Sequence, residues 1–478
     1  VANLIGDMAR SYGWPVLKRA AGLVTPFVPI PQPVLLVGPG AATRLAQTVA
    51  SFAHRKVLLV TDETIAGLGL ARPLAEALTA AGTGCVVFDR VTPDAPLPLI
   101  EQGIALFRQH ACDALLAVGG GSVIDAAKVI GLAAANRKHP RDLVGYFKGL
   151  HGPVPIYAVP TTAGTGSEVT VAAVVADPAR SSKLVIADTR IVPAMAALDP
   201  CLMTGLPPLV TATTGMDALT HAVEAYLGEW STDFSDRMAL QAVAMIYRHL
   251  PRVHADGGDL AAREQMALAS TYAGFAFTRA NVGNVHAIAH QLGGLYHTPH
   301  GLANAVMLAP VLRFYGAAVQ RKLAVLAIAA GVGRHGEPAV ALARRFVESV
   351  DALNRSLGIP PTLEALREAD IPKLAEAACW EADTHYPVPR VMSHKACEAL
   401  LREVLPAKAR RRKAAAGTKK APAQAAPAKV AARTAAKKTP SKPAPTKRAA
   451  RKRAMVRATG SSSRSSGSIT TSGTRGRR

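Results

Sequence analysis

From Pro406 to Arg478 the chain has no Asp or Glu, although that stretch holds 22 of its 56 Lys and Arg residues. The first 405 residues carry 34 basic against 33 acidic side chains, so the net charge of +23 belongs to the tail. This argues against a basic nucleic-acid-binding fold and leaves a near-neutral body with a cationic appendage. Cysteine is scarce: Cys85, Cys112, Cys201, Cys379 and Cys397 are scattered, odd in number and form no CxxC. That pattern argues against a disulfide scaffold or a cysteine zinc site and for reduced thiols in a cytoplasmic protein. No charge-free run reaches 18 apolar residues, so no membrane span is expected. The first residues lack the three regions of a secretory leader. The chain begins at Val, so a few residues are expected to precede it.

The remainder divides into four stretches. Residues 1–32 are an N-terminal extension, read as a packing helix, with a peripheral amphipathic helix as the alternative. Residues 33–208 alternate short apolar runs with amphipathic ones. Strands are expected at Val34–Val37, Lys56–Thr61, Cys85–Phe88, Ala114–Val118, Pro155–Val159 and Val171–Ala176, with helices such as Ala41–Ala53, Ala71–Ala81, Pro98–His110 and Ser122–Ala134 between the earlier ones. That pattern predicts a parallel sheet covered by helices on both faces, with ligands at the carboxyl ends of its strands. Residues 209–405 are rich in Ala, Leu and Met at helical spacing and predict an all-helical domain. Its expected helices include Thr213–Leu227, Asp236–Leu250, Asp259–Ala276, Ala303–Phe314, Ala339–Leu357 and Leu363–Ala378. Residues 406–478 have almost nothing to bury and are expected to be disordered.

Chemistry is written in four places. Gly119-Gly120-Gly121-Ser122 stands between an apolar strand and a helix, a context that makes an anion cradle for a phosphate. Asp125 is expected to cap that helix. Gly38-Pro39-Gly40 lacks the third glycine of GxGxxG and reads as a turn. The hydroxyl-rich loop Thr161–Glu168 follows another apolar run and suits ribose and pyrophosphate, a solvated loop being the alternative. Asp62 closes the strand from Lys56, where it can meet a ribose diol or cap the next helix. In the helical half, Asp217 and His221 are spaced i, i+4 and share one helix face. His286 and His290 repeat that spacing, and His297 and His300 follow. A single apolar-flanked histidine is usually a core residue. A carboxylate with several imidazoles instead suits a divalent transition metal, Fe(II) or Zn(II).

These motifs together resemble the iron-containing, or group III, alcohol dehydrogenases from about Pro33 to Leu401. The matching residues include Asp62, Gly-Gly-Gly-Ser at 119–122, Pro-Thr-Thr-Ala-Gly-Thr-Gly-Ser-Glu at 160–168 and Gly-Met-Asp-Ala-Leu-Thr-His-Ala-Val-Glu at 215–224. HxxxH at 286–290, Pro-His-Gly at 299–301 and Asn354–Pro361 continue the match. The resemblance implies an N-terminal dinucleotide-binding parallel-sheet domain, a C-terminal helical metal domain and a cleft between them. It implies Asp217, His221, His286 and His300 as metal ligands, with Fe(II) the expected ion and Zn(II) the alternative. His290 would lie near the substrate as a proton relay, a packing role being the alternative. Asp62, Asp94, Gly121, Ser122, Thr161, Thr162, Thr170, Lys183, Leu202 and Gly205 match cofactor-contacting positions, and Asp62 favours NAD over NADP. Asp94 replaces the Asn of many members, and His297 stands where Asn is common.

The implied activity is NAD-dependent interconversion of an alcohol and an aldehyde or ketone, in a homo-oligomer. The alternatives are a related reductase or transhydrogenase acting on an oxo or hydroxy acid, or a DNA-associated protein. The tail resembles those of linker histones in composition. Its charge suits non-specific association with nucleic acid or another polyanion, and its lack of aromatics argues against base stacking.

Overall fold

In the computed structural model the described residues are 22–180 and 182–406. The expected tail disorder, and most of the N-terminal extension, lie outside them. Six parallel strands form the main sheet, in the order β1-β9-β6-β4-β2-β3. They are β1 (Val34–Val37), β2 (Lys56–Val60), β3 (Gly84–Phe88), β4 (Ala114–Gly119), β6 (Ile156–Pro160) and β9 (Met195–Leu198). Every residue of β4 and β6 is buried. Their unbroken apolar runs suit central strands covered on both faces. Helices α1 (Ala41–Ser51), α2 (Glu63–Gly67), α3 (Arg72–Ala80), α4 (Leu97–Gln109) and α5 (Gly121–Asn136) fall between the first strands. Two apolar clusters line the sheet, one built with α1 and α3, the other with α4 and α5. The chain runs from β2 out to β3, then returns to lay β4 on the other side of β2. The loops after β2 and β4 therefore flank the switch in winding direction, where such sheets bind ligands.

The structure corrects the expected sixth strand of this sheet. Residues Ala172–Asp177 form β7 of a separate three-stranded sheet, β5-β8-β7, with β5 at Gly145–Tyr146 and β8 at Ser182–Ala187. Only a short turn joins β7 to β8, and the pair is antiparallel. So short a link has no room for the crossover that a parallel partner needs. Its place in the main sheet is taken by β9, a four-residue strand closely followed by Pro200.

The second part is helical: α6 (Pro208–Leu227), α7 (Asp233–Ala255), α8 (Leu260–Ala280), α9 (Asn284–Tyr296), α10 (His300–Tyr315), α11 (Gln320–Ala329), α12 (Ala339–Ser356), α13 (Ile371–His385) and α14 (His394–Glu403). Helix α6 packs against α7, α8 and α10, and α9 packs against α10 and α13. The expected helix at Leu363–Ala378 is corrected, since α13 starts at Ile371 with Pro372 in its first turn. Leu363 and Leu366 are buried in a preceding turn, where the Leu366 N–H donates to the Leu363 carbonyl. Their i, i+3 spacing mimics a helix without being one. The stretch His300–Ala329 is long and apolar enough to cross a membrane, but 67% of its most apolar window is buried within the fold.

Candidate functional site

The glycine run between β4 and α5 is closely packed. A Cβ on Gly119 would lie 2.6 Å from Val123 Cγ2, and one on Gly121 would lie 2.6 Å from Thr165 Cγ2. The Val123 and Thr165 side chains therefore press on the backbone where β4 enters α5. No side chain caps the N-terminus of α5, so its first N–H groups are left for a ligand or water. The expected capping by Asp125 is corrected. Asp125 lies in the second turn, accepts from the Ser167 hydroxyl at 2.5 Å and from the Val174 N–H at 2.9 Å, and so ties α5 to the 161–168 loop and to β7.

The cofactor candidates fall into a linked group and an unlinked one. The Asp94 N–H donates to Ser122 Oγ at 3.1 Å, and Lys183 Nζ lies 2.9 Å from Asp94 Oδ1. Asp94 has a φ of +67°, a left-handed conformation that Asn and Asp tolerate best among side-chain-bearing residues. Thr161 is buried and donates its N–H to the Gly119 carbonyl, and Thr162 flanks Gly120. Thr170 is pinned through its hydroxyl and carbonyl by Lys128 Nζ, at 2.9 and 3.0 Å. Asp62, Leu202 and Gly205 follow β2 and β9 without a hydrogen bond to this group among the described residues. Asp62 caps α2 by accepting from the Ile65 N–H at 2.9 Å. Leu202 packs under the α1 side of the sheet, and Gly205 faces open space.

In the helical part, Asp217, His221, His286 and His300 each offer a donor atom, and these atoms lie within 4.8 Å of one another. Helix α6 supplies the first two one turn apart, α9 supplies His286, and His300 opens α10. His221 stacks on His286 and on Phe277, at centroid distances of 4.5 and 4.2 Å. Burial drives the His221 imidazole down to about 4 and that of His286 to about 3, so both are neutral donors at physiological pH. His300 is held well below the usual imidazole range by burial and by the charge of Lys183. Nδ1 of both His221 and His300 is buried without a hydrogen-bond partner among the described residues. Three neutral imidazoles and one carboxylate facing one point fit a divalent transition metal.

A family model described as iron-containing alcohol dehydrogenase matches residues 32–200, and one for the C-terminal part of the Fe-containing family matches residues 211–405. The chain belongs to the iron-containing alcohol dehydrogenase family. It is an NAD- and metal-dependent oxidoreductase that interconverts alcohols and aldehydes. This dehydrogenase is 40% identical over 373 residues to the 1,3-propanediol dehydrogenase of Klebsiella pneumoniae, covering 77% of this chain and 95% of that one. It is 38% identical over 354 residues to the NAD-dependent methanol dehydrogenase of Bacillus methanolicus, covering 74% and 92%. A crystal structure of 1,3-propanediol oxidoreductase superposes with a TM-score of 0.76 at 37% identity, covering 79% of this chain and 100% of that one.

Several side chains of the dehydrogenase site escaped the sequence reading. Glu224 accepts from His286 Nδ1 at 2.6 Å and from the N–H groups of Gly283 and Val285 at 2.9 and 2.7 Å. Burial pushes its carboxyl up to about 7 against those backbone bonds. It lies seven residues after Asp217, on the same helix face, a spacing that could have exposed it. Asn304 is one turn beyond His300, and its Nδ2 donates to Asp217 Oδ1 at 2.6 Å. Glu381 accepts from His290 Nδ1 at 2.6 Å. It comes from α13, and no local pattern pairs it with His290. His297 ends α9 in a left-handed conformation, exposed and outside the four-donor cluster.

Proposed function

We propose that Asp217, His221, His286 and His300 hold one Fe(II), with Zn(II) the alternative. Asp62, Asp94, Gly121, Ser122, Thr161, Thr162, Thr170, Lys183, Leu202 and Gly205 hold NAD beside it. The observation that carries the metal reading is the convergence of one carboxylate and three imidazole donors within 4.8 Å. When bound, the metal polarises an alcohol oxygen and NAD exchanges hydride with the carbinol carbon. The uncapped start of α5 binds phosphate, while Ser122, Asp94 and Lys183 form a linked polar wall beside it. His290 takes the hydroxyl proton. Its ring is stacked on that of His300 at 5.4 Å and lies one helical turn from His286, which supports this role. The substrate class is a short-chain primary alcohol or diol, or the matching aldehyde, in keeping with relatives named for methanol and 1,3-propanediol.

The test is NADH formation by the metal-stripped chain reloaded anaerobically with Fe(II) or Zn(II). Primary alcohols, diols and hydroxy acids are offered beside a chelated control. Metal-dependent oxidation of a short alcohol is the expected result. A folded protein that binds NAD but oxidises only hydroxy acids would move the reading to the related reductase or transhydrogenase.

The tail composition favours a second, additive property: residues 406–478 associate non-specifically with polyanions. Binding to arbitrary DNA should weaken steeply with salt. Deleting the tail should abolish it and leave turnover unchanged. We place the enzyme in the reducing cytoplasm, supported by five free cysteines. We also propose a homo-oligomer, supported by edge strand β1, whose Val34 is 58% exposed.

A further inference from the structure

Helix α9 carries two imidazole–carboxylate pairs one turn apart. His286 Nδ1 lies 2.6 Å from Glu224, and His290 Nδ1 lies 2.6 Å from Glu381. The two carboxylates are held differently. Glu224 is saturated by backbone N–H groups at the start of α9. Glu381 takes its other bonds from side chains: Gln291 Nε2 at 2.6 Å and the Tyr386 hydroxyl at 2.5 Å. Those partners come from α9 itself and from the end of α13, so Glu381 fixes one helix against the other around His290. Three donors, His290 Nδ1, Gln291 Nε2 and the Tyr386 hydroxyl, converge on the Glu381 carboxyl, an arrangement that favours its ionised form.

An ionised carboxylate only accepts, so the shared proton sits on His290 Nδ1, and in the neutral ring the lone pair is then on Nε2. Among the described residues Nε2 has no hydrogen-bond partner. The His290 side chain is only 10% exposed, and its ring lies nearly parallel to that of His300, at 15°.

We propose that Glu381 is a positioning residue that fixes the tautomer and rotation of His290, so that Nε2 is the atom that receives the substrate's hydroxyl proton. This rests on the relay reading of His290 given above. In the oxidation direction the O–H bond breaks, its proton forms the Nε2–H bond, and the hydride from the carbinol carbon goes to NAD. The imidazolium so formed keeps its Nδ1–H bond to the Glu381 carboxylate, which balances its charge. Aldehyde reduction runs the same transfers backwards. Gln291 and Tyr386 keep the carboxylate from rotating away. A neutral Gln at 381 can equally donate its NH2 to Nδ1, which would place the proton on Nε2 and block uptake.

The deciding measurement is a two-bond ¹H–¹⁵N correlation spectrum of ¹⁵N-histidine-labelled, Zn(II)-loaded enzyme, with His290→Ala assigning the ring. The expected wild-type spectrum is that of the Nδ1–H tautomer, shifting toward Nε2–H in Glu381→Gln. With it, kcat should fall about 10- to 100-fold, as when the carboxylate behind a working histidine is removed. KM for NAD and metal content should stay within about twofold. Glu381→Asp, which keeps the charge, should recover part of the loss. A wild-type ring protonated on Nε2 overturns the proposal, even if Glu381→Gln does not fold. So does wild-type kcat in a folded Glu381→Gln. The two readings separate through His290→Ala. If it turns over normally, the relay reading fails. If it is impaired while Glu381→Gln is not, only the role of Glu381 fails.

Discussion

The α/β part and the helical part contribute to the site in opposite ways. In the α/β part the decisive positions are glycines and hydroxyls, and the limits are steric. Val123 and Thr165 leave no space for a Cβ at Gly119 and Gly121. In the helical part the decisive positions are imidazoles and carboxylates on α6, α9 and α10, and the limit is which atom carries a proton. At these positions volume is the constraint in the first part, and protonation is the constraint in the second. Asp217→Ala makes the sharpest test, because it removes the only anionic donor with little steric cost. Metal content by elemental analysis should collapse, and turnover should fall at least about 10³-fold. NAD affinity, measured by fluorescence titration, should change less than about twofold. A comparable loss of NAD binding would mean that the two parts are not chemically separable.

Lys128 breaks the contrast from inside the α/β part. It is a fully buried cation on α5 that donates to Ser167, Thr170 and the Ala172 carbonyl, with Asp125 3.9 Å away. Burial lowers its ammonium to about 8, with Asp125 and Glu168 pulling the other way. Between that value and the ordinary lysine value near 10.4 the unfolded chain binds more protons than the folded one, so this group makes stability rise with pH. The gain is at most about 3 kcal/mol. Urea unfolding of the enzyme and of Lys128→Met from pH 7.5 to 10 should show the difference between them widening in favour of the wild type. Parallel curves would mean that Lys128 keeps its charge throughout.

Gly121→Ala probes the steric side. The new methyl must displace Thr165 or move the start of α5. KM for NAD should rise about tenfold, a cost of about 1–2 kcal/mol of the overpacking kind, while metal content stays at wild type. An unchanged KM would show that the cradle yields more readily than its packing implies.

The same contrast governs what could be read before folding. The unbroken apolar runs of β4 and β6 and the i, i+4 pairs Asp217/His221 and His286/His290 are local signals, and local backbone geometry turns them directly into structure. The failures are of two kinds, turns that composition does not reveal and partners that are distant in sequence. β7 left the main sheet because a short turn, not its composition, sets its partner. Leu363 and Leu366 satisfy their burial in a turn. Asp125 looked like a cap because the residues that claim it, Ser167 and Val174, are distant in sequence. Glu381 is 91 residues from His290 and has no spacing by which to find it. Sequence thus exposes groups that share one helix face or follow one strand, and hides those that meet only through packing.

The smallest expected effect concerns protons at the metal donors, where the helical part should resist what its chemistry would otherwise dictate. Exposed imidazoles titrate near 6.5. Three of them as ligands would lose roughly 10⁴-fold in metal affinity between pH 7 and pH 5, because protons compete for each nitrogen. Here burial has already removed the protons, with His221 near 4, His286 near 3 and His300 well below its usual range. The folded, metal-free protein therefore keeps these imidazoles neutral well below the usual range, and Zn(II) affinity measured by competition with a chelator should change less than about tenfold between pH 7 and pH 5. The unfolded chain has no such protection. Its histidines take up protons below 6.5, so the metal-free protein should lose stability as pH falls from 6.5 toward 4, with a sign opposite to that of a histidine held by an ion pair. A steep loss of affinity above pH 5 in a protein that circular dichroism shows to be folded would mean that water reaches the donors. The distinction between a steric wall and a proton-governed one would then no longer hold.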